Sequence, residues 1–346
     1  MLESRQFPRS THLGPRMRFH ARYVAAACAA AAALACGTLA AHAADLPKNY
    51  PSRPVRLIVP FPPGGSNDIL GRFMAARFTE RLGQQVIVDN RPGADGMIGA
   101  DIAARAVPDG HTILIVSTSY SQNPAIHKQM PFDPVKDLTP VALIGTGPNA
   151  ISTHPGQSIA TVKDLVAAAK AKPGHINYAS SGIGGFNHFG GELFKIAAGV
   201  DMTHVPYKGG GPAMIDLMAG HVPVMFSTLI QVLPHARSGK LRVIATGGPK
   251  RSPALPNVPT VIESGVPGYE VTIWWGFLGP AGLPPALVRG LHDVTAKILT
   301  EPETVKRLAA EAAEPAFATS AEFGRIIQTD IGKWIKVARD AKMQAH

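Results

Sequence analysis

Three short apolar runs stand near the front of the chain: Val55 to Phe61 (VRLIVPF), Gln85 to Asp89 (QVIVD) and Thr112 to Val116 (TILIV). They are rich in Val and Ile and do not alternate with polar residues, the pattern of strands covered on both faces. Between them the apolar positions take helix spacing, first at Ile69, Leu70, Phe73 and Ala76, then at Ile98, Ile102 and Ala103. Strand, helix, strand, helix, strand with short loops predicts a parallel sheet with right-handed crossovers. A second unit of the same kind follows. Thr161-x-x-Asp164 predicts a capped helix start before Leu165, Val166 and Ala169, and Pro173-Gly174 ends that helix. Strands are predicted at Ile176 to Ala179, Met202 to Pro206, Val222 to Phe226 and Leu241 to Thr246. Helical spacing lies between them at Leu193, Ile196 and Ala197, and at Met214, Leu217 and Met218. Tyr269 to Gly282 (YEVTIWWGFLGPAG) reads as one long strand. A helical C-terminus follows, with Leu287, Leu291, Val294 and Ile298 in step and a second capping box at Thr319-x-x-Glu322.

Two α/β units joined by extended segments predict two lobes with a cleft between them. In open parallel sheets ligands sit beyond the C-terminal strand ends, at helix N-termini. Four segments rich in small polar residues are expected there as loops: Phe61 to Asp68 (FPPGGSND), Ser117 to Asn123 (STSYSQN), Ser180 to His188 (SSGIGGFNH) and Tyr207 to Gly211 (YKGGG). Each alone also reads as ordinary turn chemistry. Four on one edge predict an anion cradle, since glycine lets backbone N–H groups approach and a helix dipole favours negative charge. Phe61, Tyr120, Phe186, Tyr207, Trp274 and Trp275 are candidates for an apolar wall beside it, with Trp275 expected in the core. Lys208 is a candidate positive charge.

The first residues read differently. Ala21 to Ala44 is Ala-rich and nearly uncharged, Arg16, Arg18 and Arg22 precede or open it, and Ala41-His42-Ala43 offers an A-x-A cleavage site. These are the marks of a secretory signal peptide over residues 1–43, with Met17 as a second possible start. Cys36 followed by Gly37 also resembles a lipid acceptor, but Ala33 stands where Leu is expected. Both cysteines, Cys28 and Cys36, fall in this leader, so the exported chain would carry no disulfide, cysteine zinc site or cysteine nucleophile. Removing residues 1–43 takes five Arg and one Glu from the chain's 34 basic and 24 acidic residues, leaving a net charge of +6. The excess shows no basic stripe interleaved with aromatics, so no nucleic-acid partner is expected.

Other chemistries lack their signatures. No G-x-G-x-x-G follows the first strand, no G-x-x-x-x-G-K-[ST] occurs, and Asn187 takes the third glycine position in SGIGGFN. Ser66 is followed by Asn67-Asp68 rather than closing a G-x-S-x-G elbow. His188 and Glu192 are spaced for one helix face, but without HExxH a metal is not expected.

The stretches YPSRPVRLIVPFPPGGSND, LGQQVIVDNRPGADGMIGA, PDGHTILIVSTS, FDPVKDLTPVALI, KPGHINYASSG, GGELFK, HVPYKGGGPAMIDLMAGHVPVMF, RSPALPNVPTVIESGVPGYEV and GPAGLP stand in this order from Tyr50 to Pro284, and the resemblance they carry covers essentially all of Tyr50 to Lys342. Through them the chain resembles the Bug or TctC-like extracytoplasmic solute receptors of the tripartite tricarboxylate transporters. The resemblance implies an α/β type II periplasmic-binding fold of two lobes joined by crossing strands, lobe one spanning 47–147 plus 272–346 and lobe two 148–271. It further implies a periplasmic monomer without catalysis or cofactor, which closes on a small carboxylate and hands it to membrane permease subunits. Carried over by position, Phe61, Pro63, Gly64, Gly65, Asn67, Thr118 and Ser119 would line the first lobe, and Ser180, Ser181, Gly182, Asn187, His188 and Ser227 the second. The Gly64-Gly65 loop would hold the proximal carboxylate, Asn187 and His188 the distal end, and Asp68 would cap its helix without touching ligand. A sensory receptor presenting its closed form to a signalling ectodomain uses the same residues and stays open as an alternative, as does an exported enzyme.

Overall fold

The computed structural model describes residues 46–343; the leader read at residues 1–43, with Cys28 and Cys36, lies outside them. The three early runs form β1 (Val55–Val59), β2 (Val86–Asn90) and β3 (Thr112–Ser117), parallel and in the order β2-β1-β3. Helices α1 (Ser66–Leu82) and α2 (Met97–Ala104) connect them, α2 entered through a 3-10 turn at Ala94–Gly96. The missing alternation now has its reason. Val55, Leu57 and Val59 pack with Leu70, Met74 and Phe78 of α1 in one core, while Ile58, Leu114 and Val116 pack with Met97, Ala100 and Ala103 of α2 in another. Full burial of each such aliphatic or aromatic side chain contributes about 1.5–3 kcal/mol.

The longest strand was not legible in the pattern. β4 (Leu138–Thr153, LTPVALIGTGPNAIST) carries Pro140, Gly145, Gly147 and Pro148, which interrupt its apolar run. It pairs antiparallel with β9 (Thr272–Pro280) from Leu138 to Pro148, shifting register twice. From Asn149 to Thr153 it lies instead between β7 (Val224–Thr228) and β8 (Arg242–Thr246). One strand therefore serves two sheets. The first runs β2-β1-β3-β9-β4, with the short β10 (Glu314–Pro315) on β4; the second adds β5 (Asn177–Ser180) and β6 (Thr203–Pro206) in the order β6-β5-β7-β4-β8. Gly147 is needed at the crossing, because a Cβ there would stand 3.0 Å from the Trp275 ring and 3.2 Å from the Ala312 carbonyl oxygen.

Segment Ser117 to Asn123 corrects the expectation of a loop: it is the end of β3 and the first turns of α3 (Thr118–Ile126). Its Ser, Thr, Gln and Asn residues carry no apolar period, yet the helix is buried, Ser121 and Gln122 fully so. Burial has overridden propensity here. Helices α4 (Val162–Ala171), α5 (Phe186–Ala198), α6 (Gly210–Met218), α7 (Leu229–Arg237), α8 (Pro285–Thr300), α9 (Pro302–Ala310) and α10 (Ser320–Asp340) complete the chain. Both expected capping boxes form: Thr161 and Asp164 at α4, Thr319 and Glu322 at α10. The two halves meet through Ile126 of α3, Phe189 of α5 and Trp334 of α10, with the Phe189 and Trp334 rings 5.1 Å apart. No helix among the described residues is long and apolar enough to cross a membrane.

Candidate functional site

Five helix N-termini converge on one cavity of about 40 Å³ between the two sheets. Helix α1 brings Gly65, Ser66 and Asn67; α3 brings Ser117 and Ser119; α5 brings Phe186 and Asn187; α6 brings Gly210; α7 brings Thr228 and Gln231. Phe61, Pro62, Ser181 and Ile273 complete the wall. Among the described residues no Asp, Glu, Lys or Arg side chain lines it. The first residues of a helix have N–H groups without an intrahelical acceptor, and the helix dipole adds positive potential there.

The side chains add donors. Asn67 Nδ2, Gln231 Nε2 and the Thr228 hydroxyl are buried without a partner among the described residues. Trp275 Nε1 donates to Ser66 Oγ at 3.2 Å, and Phe186 N–H donates to Ser119 Oγ at 3.1 Å, so both hydroxyls keep a proton to give. Unmet donors at a dry helix terminus suit an anion. A Cβ on Gly210 would overlap Gln231 Nε2, so a side chain there would displace the Gln231 amide from the cavity wall.

The β1–α1 loop is built by Asp68, whose side chain is nearly buried. Its carboxylate accepts from Gly64 N–H at 3.0 Å, Asn90 Nδ2 at 2.9 Å and Arg72 Nε at 3.1 Å. Burial pushes its pKa up, and the hydrogen bonds from Arg72, Gly64 and Asn90 outweigh this and hold it below the usual carboxylate range. Asn90 also donates to the Phe61 carbonyl oxygen at 3.0 Å. Asp68 thus fixes the loop from behind, and in doing so takes the Gly64 N–H.

Six of the residues expected at the site line this cavity: Phe61, Gly65, Asn67, Ser119, Ser181 and Asn187. The other seven lie elsewhere. Pro63 and Gly64 are in the loop that Asp68 ties. Thr118 Oγ1 accepts from Trp274 N–H at 2.9 Å, joining α3 to β9. Ser180 Oγ is 2.6 Å from His204 Nε2 and 2.9 Å from the Gly182 carbonyl oxygen. His188 Nδ1 accepts from Gly184 N–H at 3.0 Å, and its ring stacks on His204 at 3.8 Å. Ser180 and His188 therefore shape the β5–α5 loop from below. His204 is lowered to about 3, by burial first and then by His188 and Lys195, and stays neutral. Glu192 accepts from the Tyr178 hydroxyl at 2.6 Å and pairs with Lys195 at 3.1 Å, its closest approach to His188 being 4.0 Å. Among the described residues no group of three potential metal ligands occurs. Ser227 is buried beside the cavity without lining it.

Sequence reasoning missed Thr228, Gln231, Ser66, Ser117 and Gly210 as lining residues. A Thr at the junction of β7 and α7 was the available signal for Thr228, one position beyond Ser227. Of the expected aromatic wall, Phe61 and Phe186 line the cavity. Tyr120 instead packs on Phe132 and donates to the Pro134 carbonyl oxygen at 2.6 Å, and Trp275 is buried in the core as expected. Outside the cavity, and sharing Phe61, Pro62 and Ser181 with it, opens a chamber of about 540 Å³ lined by Asp95, Ile183, Tyr207, Lys208 and Gly209 among others.

Comparison with known proteins agrees with this architecture. The model of the tripartite tricarboxylate transporter family receptor, TctC, matches residues 70–343. Protein BugT of Bordetella pertussis is 36% identical over 84% of this chain and 90% of its own length. Among solved structures, an R. palustris protein solved with adipate superposes with a TM-score of 0.84 at 35% identity, covering 86% of this chain and 100% of its own. The periplasmic binding protein BugD gives 0.82 at 32% identity over 86% and 100%. MatC from Rhodopseudomonas palustris with bound malate gives 0.78 at 29% over 83% and 99%. The fold is the two-lobed α/β fold of periplasmic binding proteins, and the chain belongs to the TctC receptor family, the Bug-type solute-binding proteins.

Proposed function

We propose that this protein is a periplasmic receptor that captures a small carboxylate between its two lobes and delivers it to the membrane permease of a tripartite tricarboxylate transporter. The observation that carries the reading is the meeting of five helix N-termini on one uncharged, donor-rich cavity. Relatives solved with adipate and malate support the ligand class. The lobes are 47–147 plus 272–346 and 148–271, and the change of partners along β4 between Pro148 and Asn149 supports the boundary. Asn67, Ser66, Thr228 and Gln231 give hydrogen bonds to the carboxylate, with Gly65, Ser119, Ser181 and Asn187 around it and Phe61 as the apolar wall. Pro63, Gly64, Thr118, Ser180, Gly182, His188 and Ser227 hold the loops that carry them. The protein acts as a monomer without cofactor or catalysis, exported by a leader cleaved near Ala43.

Thermal unfolding of the purified protein across mono-, di- and tricarboxylates, aromatic acids, sugars and amines tests this. A true ligand at 100 times its Kd adds about 2.7 kcal/mol to stability. A raised Tm with at least one carboxylate is expected. Stabilisation by sugars or amines and by no carboxylate would overturn the reading.

A further inference from the structure

Among the described residues the inner cavity is lined by no acid; its unpartnered polar atoms are Asn67 Nδ2, Gln231 Nε2, the Thr228 hydroxyl and one neutral acceptor, Asn187 Oδ1. The outer chamber adds Asp95, which with Lys208 makes up its two charged side chains. Asp95 sits in the turn between β2 and α2 at φ 49°, ψ 40°, in the left-handed region that Asp and Asn tolerate better than most residues. The turn is tied to α3 by Asn123 Nδ2, which donates to the Asp95 carbonyl oxygen at 3.3 Å. The residue is part-exposed, but both carboxylate oxygens are buried and neither has a partner among the described residues.

Its direction is fixed by Gly185 of the opposite lobe. A Cβ on Gly185 would stand 2.9 Å from Asp95 Oδ1 and 3.3 Å from Ser181 Oγ. The carboxylate therefore faces the start of α5, beside the serine that lines both chamber and cavity. Ser181 accepts from Asn187 Nδ2 at 3.2 Å, so it too is oriented by the cavity wall. The cleft is thus asymmetric: helix ends and neutral amide and hydroxyl groups within, a partnerless carboxylate at the outer end. Lys208 is exposed and makes no described contact with Asp95.

Resting on the carboxylate-receptor reading above, we propose that Asp95 reads the far end of the ligand, favouring carboxylates that carry a hydroxyl or ammonium donor remote from the bound carboxylate and disfavouring a second carboxylate there. A donor would fill the hydrogen-bonding capacity that burial leaves unmet. A second carboxylate would bring like charge against a buried acid. Desolvation raises the Asp95 pKa to about 7, so at pH 8 it is mainly ionised and the contrast is largest.

The test is calorimetric titration at pH 8 of the purified protein, Asp95→Asn and Asp95→Gly. The ligands are ω-hydroxy-, ω-amino- and α,ω-dicarboxylic acids of four to six carbons. Both replacements suit the left-handed backbone, so folding is kept. For the length that binds best, the wild type should take the hydroxy or amino acid at least tenfold tighter than the dicarboxylate. Both variants should lose that preference and bind the dicarboxylate more tightly than the wild type does. Equal or tighter dicarboxylate binding by the wild type, or a preference that survives in both variants, overturns the assignment of Asp95 while leaving a carboxylate receptor. If neither the wild type nor the variants bind any acid of the series, the assignment of Asp95 fails, and the carboxylate reading stands or falls on the wider thermal-unfolding screen.

Discussion

Replacing Asp95 by Asn should stabilise the ligand-free protein, and by an amount that grows with pH. In the folded state burial raises the carboxyl's pKa from its ordinary 3.8 to about 7, and no charged neighbour contributes to the shift. Below about pH 4 the group is protonated whether the chain is folded or not, and the substitution changes little. Between pH 4 and 7 the unfolded chain releases the proton and the folded one keeps it. The folded state then binds more protons, and stability falls by about 1.4 kcal/mol per pH unit. Above pH 7 both states are ionised and the loss is constant. A shift of roughly three units sets the ceiling at about 4 kcal/mol. Urea unfolding followed by fluorescence of the buried Trp274, Trp275 and Trp334 measures it, with both proteins compared at each pH so that every other titration cancels. The gain should be small at pH 4.5 and several-fold larger at pH 8. A gain that is flat with pH, or a wild type more stable than Asp95→Asn at pH 8, would show that the start of α5 stabilises the ionised carboxylate, and the reasoning would fail.

Asn67→Ala and Gln231→Ala should each weaken the best carboxylate ligand by roughly 10- to 100-fold, the worth of about 1.5–3 kcal/mol for a hydrogen bond to a charged group. Titration calorimetry reads this, and their Tm should barely move because Asn67 Nδ2 and Gln231 Nε2 bond no protein atom. Asp68→Asn should lower stability by about 1–3 kcal/mol at neutral pH, since Arg72 and the Gly64 N–H lose their anion. As the folded pKa is depressed, the wild-type advantage should be present above pH 4 and vanish as acid unfolding is approached. Gly184→Ala should impair lobe closure. Its Cβ would overlap Ile126 Cδ1 across the cleft, Ile126 is fully buried, and φ is +81°. Small-angle scattering should then show a larger radius with saturating ligand than for the wild type.

The sheets were legible wherever burial was simple. β1 and β3 are apolar on both faces because helices cover both, and the chain says so in Val and Ile. β4 was hidden by the function of its own prolines and glycines. Gly145 and Gly147 make room for Glu314, the Trp275 ring and the Ala312 carbonyl at the crossing, and a strand bent to serve two sheets cannot keep a period of two. At the site, each of the four glycine- and serine-rich strand ends brings at least one residue to the cavity wall. They did not separate residues facing it from residues building it. Gly64 and Gly65 are adjacent, yet the N–H of the first is taken by Asp68 while the second lines the cavity. Ser227 and Thr228 differ in the same way: successive strand residues point to opposite faces, and only Thr228, the last of β7, lines the cavity. Asp95 could not be singled out at all. Its missing partner is a property of the opposite lobe, set by Gly185, ninety residues along the chain.

The absence of charged side chains from the inner cavity and the presence of a buried carboxylate at its outer end have a common energetic meaning. A receptor must release what it binds, and an arginine enclosed in the closed cleft would be strongly disfavoured whenever the ligand is not there to pair with it. Amide and hydroxyl donors carry a much smaller penalty when unmatched, and helix ends regain water when the lobes part. On the receptor reading proposed above, the anion would be held by many weak, neutral contacts available together only on closure, as ligand-driven population shift requires. Asp95 works in the opposite sense. Ionised, it disfavours the closed form until a donor arrives, so it adds discrimination without adding affinity to the carboxylate itself. A ligand bearing both groups satisfies the two ends of the cleft at once. One bearing only the carboxylate leaves the outer end unmet, and closure on it should be less complete at pH 8 than at pH 5.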